Sequence, residues 1–140
     1  MLKKIRNVIA LCVVFILCIS MQTFNAKAED ASVVIALSSS SVSMGQSVSV
    51  TVTVSGSSVS QYTIYVTYDS SVLQFQLASG AAQGNGSGGT ITLCGGTGST
   101  TLSFTAIGNG TSYISTSGSE VYDIDYNQLS ISHAGASVTV

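Results

Sequence analysis

The sequence predicts an all-β fold: an antiparallel two-sheet sandwich of eight or nine short strands. Apolar and hydroxylated residues alternate at period two in several segments, such as residues 48–55, which gives each strand one apolar and one polar side. No segment keeps the period of a helix. Clusters of glycine, serine and asparagine separate the alternating segments, as turns do in sandwiches.

The alternation defines the strands in chain order. The clearest are residues 48–55, 62–68, 101–106 and 134–140. Shorter candidates are 32–37, 72–77, 90–94, 111–117, 119–122 and 129–132. Turns are predicted at the clusters 38–41, 56–58, 80–89 and 95–99, with 80–100 as the most flexible region, and Asn109-Gly110 predicts a tight hairpin.

Residues 1–28 have the three-part pattern of a secretory signal peptide. Three basic residues among the first six precede an apolar run at 8–21, which is too short for a comfortable membrane span. Ala26 and Ala28 then form a small-x-small cleavage site around Lys27. We therefore expect residues 29–140 to be one exported, soluble domain, extracellular or held at the cell surface, with no membrane segment after cleavage.

The charges divide at the same point. All four Lys and Arg residues of the chain lie in the leader, whereas all six Asp and Glu residues come after it. Lys and Arg supply the contacts to nucleic-acid phosphates and to anionic lipids, so the predicted domain binds neither. It also has no Lys for Schiff-base chemistry and no Arg to clamp an anionic substrate, which argues against most enzyme classes.

Cys94 is the one cysteine of the predicted domain, so an intramolecular disulfide cannot form. A reactive thiolate needs an electropositive neighbourhood, which a domain without Lys or Arg does not provide. The sequence therefore predicts that Cys94 is a small buried apolar residue at a strand end.

Several segments share their order and spacing with a known family. They are MGQSVSV at 44–50, YTIYVTYDSSVLQF at 62–75, LSFTA at 102–106, EVYDIDYNQL at 120–129 and ASVTV at 136–140. Together they resemble the cohesin domain, the module of bacterial scaffoldins and surface proteins that holds dockerin-bearing partners, often polysaccharide-degrading enzymes. The second segment is similar to the family's central strand and "YDPxxL" turn, with Ser70 in place of the usual Pro.

The resemblance implies a nine-stranded jelly-roll-like sandwich over residues 29–140 that binds a partner and does not catalyse a reaction. If the Val48-type positions point inward, Thr63, Tyr65 and Thr67 point outward, and we expect Ser103 and Thr105 beside them on a neighbouring strand. A tyrosine among hydroxyls is typical of protein interfaces. In cohesins the corresponding sheet carries the partner surface, so these five residues are the predicted partner-binding site. An ordinary solvated face is the alternative.

Asp123, Asp125 and Asn127 place oxygen atoms at alternate positions, as at the start of a calcium loop. Such a loop requires glycine at its sixth position and a carboxylate at its twelfth, which here are Gln128 and Ala134. We therefore expect an acidic turn, and we predict no metal and no other cofactor.

No catalytic residue is assigned. Of the carboxylates that could serve glycoside hydrolysis, Asp69 fits a turn that caps backbone N–H groups, and Glu120, Asp123 and Asp125 are close neighbours in sequence. The domain has no Trp or Arg to hold a sugar, and a lone His133 among many serines does not define a catalytic pair.

Three functions follow from these observations. The leading one is a secreted, non-catalytic cohesin-like module that docks a dockerin-type protein in a polysaccharide-degrading or cell-surface assembly. The second is direct carbohydrate binding, for which the available aromatic rings are Tyr65, Tyr113, Tyr122 and Tyr126. The third is a purely structural surface or adhesin domain.

Overall fold

The computed structural model describes residues 30–140, so the predicted leader at 1–28 lies outside the described residues. The described part contains nine strands: β1 (Ala31–Leu37), β2 (Ser47–Ser55), β3 (Gln61–Thr67), β4 (Leu73–Ser87), β5 (Thr90–Ala106), β6 (Thr111–Ile114), β7 (Glu120–Tyr122), β8 (Ile131–His133) and β9 (Ala136–Thr139). Within residues 30–140 there is no helix long and apolar enough to cross a membrane.

The period-two segments form strands as predicted. Along β2 every second residue, from Val48 to Val54, is buried, and the serines and threonines between them are partly or fully exposed. Along β3 the buried residues are Tyr62, Ile64 and Val66. The alternation therefore predicts correctly which side of each strand enters the core.

The glycine-rich region 80–100 differs from the prediction. Residues 80–87 continue β4 and residues 95–99 continue β5, so the two predicted turns lie inside two long paired strands. The turn between them consists of Gly88 and Gly89 alone. Both have positive φ, 65° and 92°, as a two-residue hairpin of the primed type requires.

The glycines within β4 are needed by the packing on its inner side. A Cβ on Gly84 would lie 2.6 Å from the Cβ of Ala78 and 2.7 Å from Cδ2 of Leu93. A Cβ on Gly86 would collide with the backbone of Thr90 and Ile91. Glycine at these positions allows the strands to approach closely. The sequence pattern predicts a turn at the same positions.

The β4–β5 hairpin joins two layers. β4 lies along one edge of β5, while the opposite edge pairs with β3 through residues 90–95 and with β2 through residues 98–105. Gly80 pairs with Thr100 whereas Ala82 pairs with Gly95, so the ladder is irregular where the hairpin passes between layers. The seven strands so connected have the order β7-β3-β5-β2-β1-β8, with β4 beside β5.

Two details of connectivity depart from the prediction. β8 pairs in parallel with β1, so the sandwich is not wholly antiparallel. The long connection between β7 and β8 allows the chain to enter β8 in the same direction as β1. Asn109-Gly110 does not close a hairpin, because β6 pairs with β9 in a separate two-stranded sheet and not with β5. Gly110 instead exchanges backbone hydrogen bonds with Val140.

One apolar core lies between the layers. Phe104 is fully buried on β5, and its ring packs edge-on against Tyr68, which follows β3, with centroids 5.0 Å apart, and against Phe75 of β4 at 5.8 Å. Such aromatic contacts add to the burial of apolar area. The predicted all-β sandwich of about nine strands is confirmed.

Candidate partner-binding surface

The outer side of the layer β7-β3-β5-β4 is the candidate surface, and we call it the Tyr65 face. It is formed by the residues that alternate with the buried ones on these strands, so they share one side of the layer. They are Gln61, Thr63, Tyr65 and Thr67 on β3, Thr90, Thr92 and Cys94 on β5, Gln83, Asn85 and Ser87 on β4, and Glu120 and Tyr122 on β7.

Tyr65 lies near the middle of this face. Directly opposite it on β5 is Thr92, and opposite Thr92 on β4 is Asn85, so the three form a row across the layer. Thr63 lies between Glu120 of β7 and Cys94 of β5. The prediction that Thr63, Tyr65 and Thr67 share the outward side is confirmed; the prediction that they bind a partner stays a prediction.

The backbone beneath Tyr65 is fixed by the connection between β6 and β7. The Tyr65 N–H donates to Oγ of Ser119 at 3.0 Å, and that hydroxyl, which is buried, donates in turn to the Thr116 carbonyl at 2.6 Å. Thr67 and Ser115 exchange N–H to C=O bonds of 2.9 and 3.1 Å. β3 therefore presents its side chains from a constrained backbone, which lowers the entropy lost when a surface binds.

The Tyr65 face is almost uncharged. Glu120, at the β7 end, carries its carboxylate, and the remaining outward positions are hydroxyls, amides, a thiol and two phenols. Desolvation, followed by a hydrogen bond with Glu120 and the charge of Glu120, raises the pKa of Tyr122. The face therefore presents hydrogen-bonding groups and tyrosine rings.

Ser103 and Thr105 lie elsewhere, and the expectation that they neighbour Tyr65 is wrong. They belong to the C-terminal half of β5, where they pair with Ser49 and Ser47 of β2. The alternation indicates which side of a strand is outward, but not that β5 crosses from one layer to the other between residues 95 and 98. Ser103 and Thr105 therefore point outward from the opposite layer.

Cys94 also differs from the prediction. Its side chain is exposed, within β5 and not at a strand end, and it borders Thr63 and Gln83 on the Tyr65 face. Leu93 and not Cys94 takes the inward position. Sequence reasoning missed Thr92, Cys94, Gln83 and Asn85 as members of the face, although the alternation of Ile91 with Leu93 could have identified the outward side of β5.

The tyrosines proposed for a sugar platform are dispersed. Tyr65 and Tyr122 share the Tyr65 face, whereas Tyr113 lies on β6 in the two-stranded sheet and Tyr126 in the loop between β7 and β8. Tyr113 and Tyr126 are both well exposed, and Tyr126 has a positive φ of 63°. The four rings do not form one surface.

The acidic segment after β7 is a hydrogen-bonded turn. One carboxylate oxygen of Asp123 accepts the N–H groups of Asp125 and Asn127 at 2.9 and 2.8 Å, and the other accepts the Asn127 side-chain amide at 3.0 Å. These bonds, from Asn127 above all, hold the pKa of Asp123 below its ordinary value. Within residues 30–140, no group of three or more His, Cys, Asp or Glu side chains could hold a metal ion.

Asp69 and His133 have local partners too. Oδ1 of Asp69 accepts the N–H of Ser71 at 2.9 Å and its hydroxyl at 2.6 Å, so the predicted capping role is confirmed. Nδ1 of His133 lies 3.1 Å from the hydroxyl of Thr116, which is buried. The histidine is therefore paired with a threonine of the β6–β7 connection rather than with a serine.

Comparison with known proteins identifies a family and a fold. The cohesin domain family model matches residues 33–140, whereas no curated protein matches the sequence. The cohesin module of a Clostridium perfringens family 33 glycoside hydrolase has a TM-score of 0.66 at 11% identity, covering 80% of this chain and 97% of that one. The sixth cohesin of Acetivibrio cellulolyticus scaffoldin B, solved with a dockerin, has 0.63 at 17%, covering 78% and 99%. A non-cellulosomal cohesin from Archaeoglobus fulgidus has 0.62 at 16%, covering 79% and 92%.

Proposed function

This chain belongs to the cohesin family, and from that premise we propose that it binds a dockerin-type protein partner through the Tyr65 face. The observation that supports the proposal is the arrangement of side chains on this face. Tyr65 projects from a constrained strand into a row of uncharged hydrogen-bonding side chains. A rigid aromatic ring surrounded by polar groups is typical of the centre of a protein interface. The scaffoldin relative, solved in complex with a dockerin, supports the class of partner.

The proposed site consists of Thr63, Tyr65 and Thr67 of β3 with Thr92 of β5 and Asn85 of β4. Because Lys and Arg are absent from residues 30–140, the site does not rely on cationic contacts to an acidic ligand. Affinity must therefore come from buried area, shape and hydrogen bonds. Ser103 and Thr105 are left out of the site because they point from the opposite layer.

We further propose that the protein acts outside the cell, after cleavage at Ala28, as a non-catalytic member of a polysaccharide-degrading or cell-surface assembly. The pattern of residues 1–28 supports export. The Clostridium perfringens relative is a module of a glycoside hydrolase, which supports a carbohydrate-degrading setting. Asp69 and Asp123 accept backbone N–H bonds in turns, which favours structural over catalytic roles for them.

The test is calorimetric titration of the purified protein against a panel of dockerins, followed by the Tyr65→Ala variant. Loss of a central aromatic contact should weaken the binding of a dockerin at least about tenfold. The melting temperature should stay within about 2 °C of the parent, because the ring is partly exposed and the inner side of β3 is unchanged.

Ser103→Ala is the matched control, since Ser103 is a partly exposed hydroxyl on the opposite layer. Its dockerin affinity should equal that of the parent. Equal affinity in Tyr65→Ala and the parent would contradict the assignment of the face. Binding to a glycan array with no response to any dockerin would replace the proposal with direct carbohydrate recognition, and silence in both assays would favour a purely structural domain.

A further inference from the structure

The outer edge of β4 has no neighbouring strand. β4 runs over 15 residues, Leu73–Ser87, and among the described strands it pairs with β5 alone. The backbone N–H and C=O groups on its other edge are therefore open to solvent or to another chain, except the N–H of Ala82, which donates to the Thr100 hydroxyl at 2.9 Å. An open edge of this length is a template for the addition of a further strand.

The open edge also lacks two of the features with which proteins usually prevent such pairing, namely charged side chains and proline. Leu73–Ser87 contains no charged residue and no proline. The opposite edge of the same layer differs. β7 is three residues long, begins with Glu120, is followed by Asp123 and Asp125, and is partly covered by Leu129, whose N–H donates to the Val121 carbonyl at 2.8 Å.

Residues 82–87 are the part of the edge suited to pairing. The register irregularities of β4 lie before this segment, between Phe75 and Leu77 and between Gly80 and Ala82, so the ladder is regular from Ala82 onward. Its outward side chains are Gln83, Asn85 and Ser87, which both donate and accept hydrogen bonds. Such a segment is complementary to an antiparallel copy of itself.

We propose that two copies of this chain associate edge to edge through residues 82–87 of β4, in antiparallel orientation. The charges favour a second copy at this place. Among residues 30–140 every formally charged side chain is an acid, so two copies repel one another in general, and Glu120, Asp123 and Asp125 gather near the β7 edge. Residues 82–87 carry no acid of their own. Asp69 lies beside the turn that ends this segment, since the Tyr68 N–H donates to the Gly89 carbonyl, and in an antiparallel pair the two Asp69 residues would lie at opposite ends of the contact.

Such pairing would extend the layer into one sheet of the order β7-β3-β5-β4 followed by the same strands of the second copy in reverse. The outer side of that sheet would carry two Tyr65 faces next to each other. The dimer would thus be bivalent toward a partner, with the gain in apparent affinity that two linked sites give. The association itself does not depend on what the Tyr65 face binds.

The test is sedimentation velocity of the purified protein over roughly 1–500 µM, a range in which mass action separates monomer from dimer. We expect a concentration-dependent dimer. Asn85→Lys places a charge at the centre of the segment and should raise the dimer dissociation constant at least about tenfold. Ser58→Lys adds the same charge at an exposed position in the β2–β3 turn and should leave the dimer unchanged.

Circular dichroism and thermal melting confirm that each variant is folded before it is compared. Hydrogen exchange adds a readout at the edge itself: amides of residues 82–87 should exchange more slowly at high than at low protein concentration, and amides of β7 should not. A parent protein that is monomeric over the whole range would overturn the proposal. A dimer that Asn85→Lys leaves intact would overturn it equally.

Discussion

The two outer faces of the sandwich both carry several hydroxyl side chains, but these hydroxyls differ in their hydrogen bonding. Opposite the Tyr65 face lies a second surface, which we call the Ser/Thr face, formed by the outward residues of β2 and of the C-terminal half of β5: Ser49, Thr51, Thr53, Ser99, Thr101, Ser103 and Thr105. On it, Thr53 and Ser99 hydroxyls lie 2.8 Å apart and those of Thr51 and Thr101 3.3 Å apart.

The hydroxyls at the centre of the Tyr65 face are not paired in this way. Those of Thr63 and Thr92 form no hydrogen bond with any other residue in 30–140, although each lies opposite a polar side chain. Hydroxyls that bond one another across strands stabilise a sheet. Hydroxyls that face water add no such bond. The Thr51–Thr101 and Thr53–Ser99 pairs therefore stabilise the fold, whereas Thr63 and Thr92 on one face, like Ser49, Ser103 and Thr105 on the other, keep their hydroxyls free of bonds to the described residues.

The largest predicted change in the free energy of unfolding concerns the packing beneath the Tyr65 face. Gly84 lies beneath it on the inner side of β4, where a Cβ would be 2.6 Å from Ala78 of the opposite layer. Gly84→Ala should therefore overpack the contact between the layers and lower the free energy of unfolding by about 1–3 kcal/mol. Urea denaturation measures this change.

Gly96→Ala is the matched control for that variant. Gly96 lies where β5 crosses between the layers, and a Cβ there would meet nothing closer than the Ser60 carbonyl oxygen at 3.6 Å. Its free energy of unfolding should stay within about 0.5 kcal/mol of the parent. Equal effects of the two substitutions would show that the layers do not need glycine beneath the Tyr65 face.

The sequence predicts the strands well where two residue classes alternate without interruption. On β2 and β3 the alternation identifies both the strand and its buried side, because successive side chains of a pleated strand point to opposite sides of the sheet. The same reasoning places Tyr65 outward correctly. These are local properties, and a period of two is sufficient to establish them.

The rest depends on contacts between distant segments. The glycines at 84 and 86 have the same identity as turn glycines, and only the position of Leu93 and Ile91 opposite them explains why glycine occupies a strand. The prediction for Ser103 is wrong because nothing in the local alternation indicates that β5 has two different neighbours on one edge. The side of a strand is encoded locally, whereas its layer is not.

A smaller effect tests the hydrogen bonding of the Ser/Thr face directly. A double-mutant cycle of Thr53→Val and Ser99→Ala should give a coupling free energy of about 0.2–1 kcal/mol, because each hydroxyl is the other's partner at 2.8 Å. Thermal or urea unfolding of the four proteins measures it.

The comparison cycle uses Asn85→Ala and Thr92→Ala on the Tyr65 face. These residues also lie directly opposite one another, but no side-chain hydrogen bond joins them among the described residues. Their coupling should be close to zero. A coupling as large as that of Thr53 and Ser99 would remove the distinction between the faces.

The smallest effect concerns the carboxylates at the ends of the Tyr65 layer. Asp69 follows β3, and the Ser71 hydroxyl, then its N–H, lower the pKa of Asp69 below the ordinary 3.8. Because the folded state favours the ionised form, the turn is stabilised above the unfolded pKa of about 3.9, and this stabilisation is lost as pH falls through the lower folded pKa. β2 and the C-terminal half of β5 carry no carboxylate.

Ser71→Ala separates the two donors. It removes the hydroxyl and leaves the N–H, so the pKa of Asp69 should rise toward 3.8, and the loss of stability on acidification should begin at higher pH. A carbon-detected NMR titration of the carboxyl groups measures this, with Asp123 as internal reference, since Asn127 and not Ser71 holds its pKa down. An Asp69 titration that is identical in parent and variant would mean that the hydroxyl does not stabilise the carboxylate, and the lowered pKa of Asp69 would then rest on the Ser71 N–H alone.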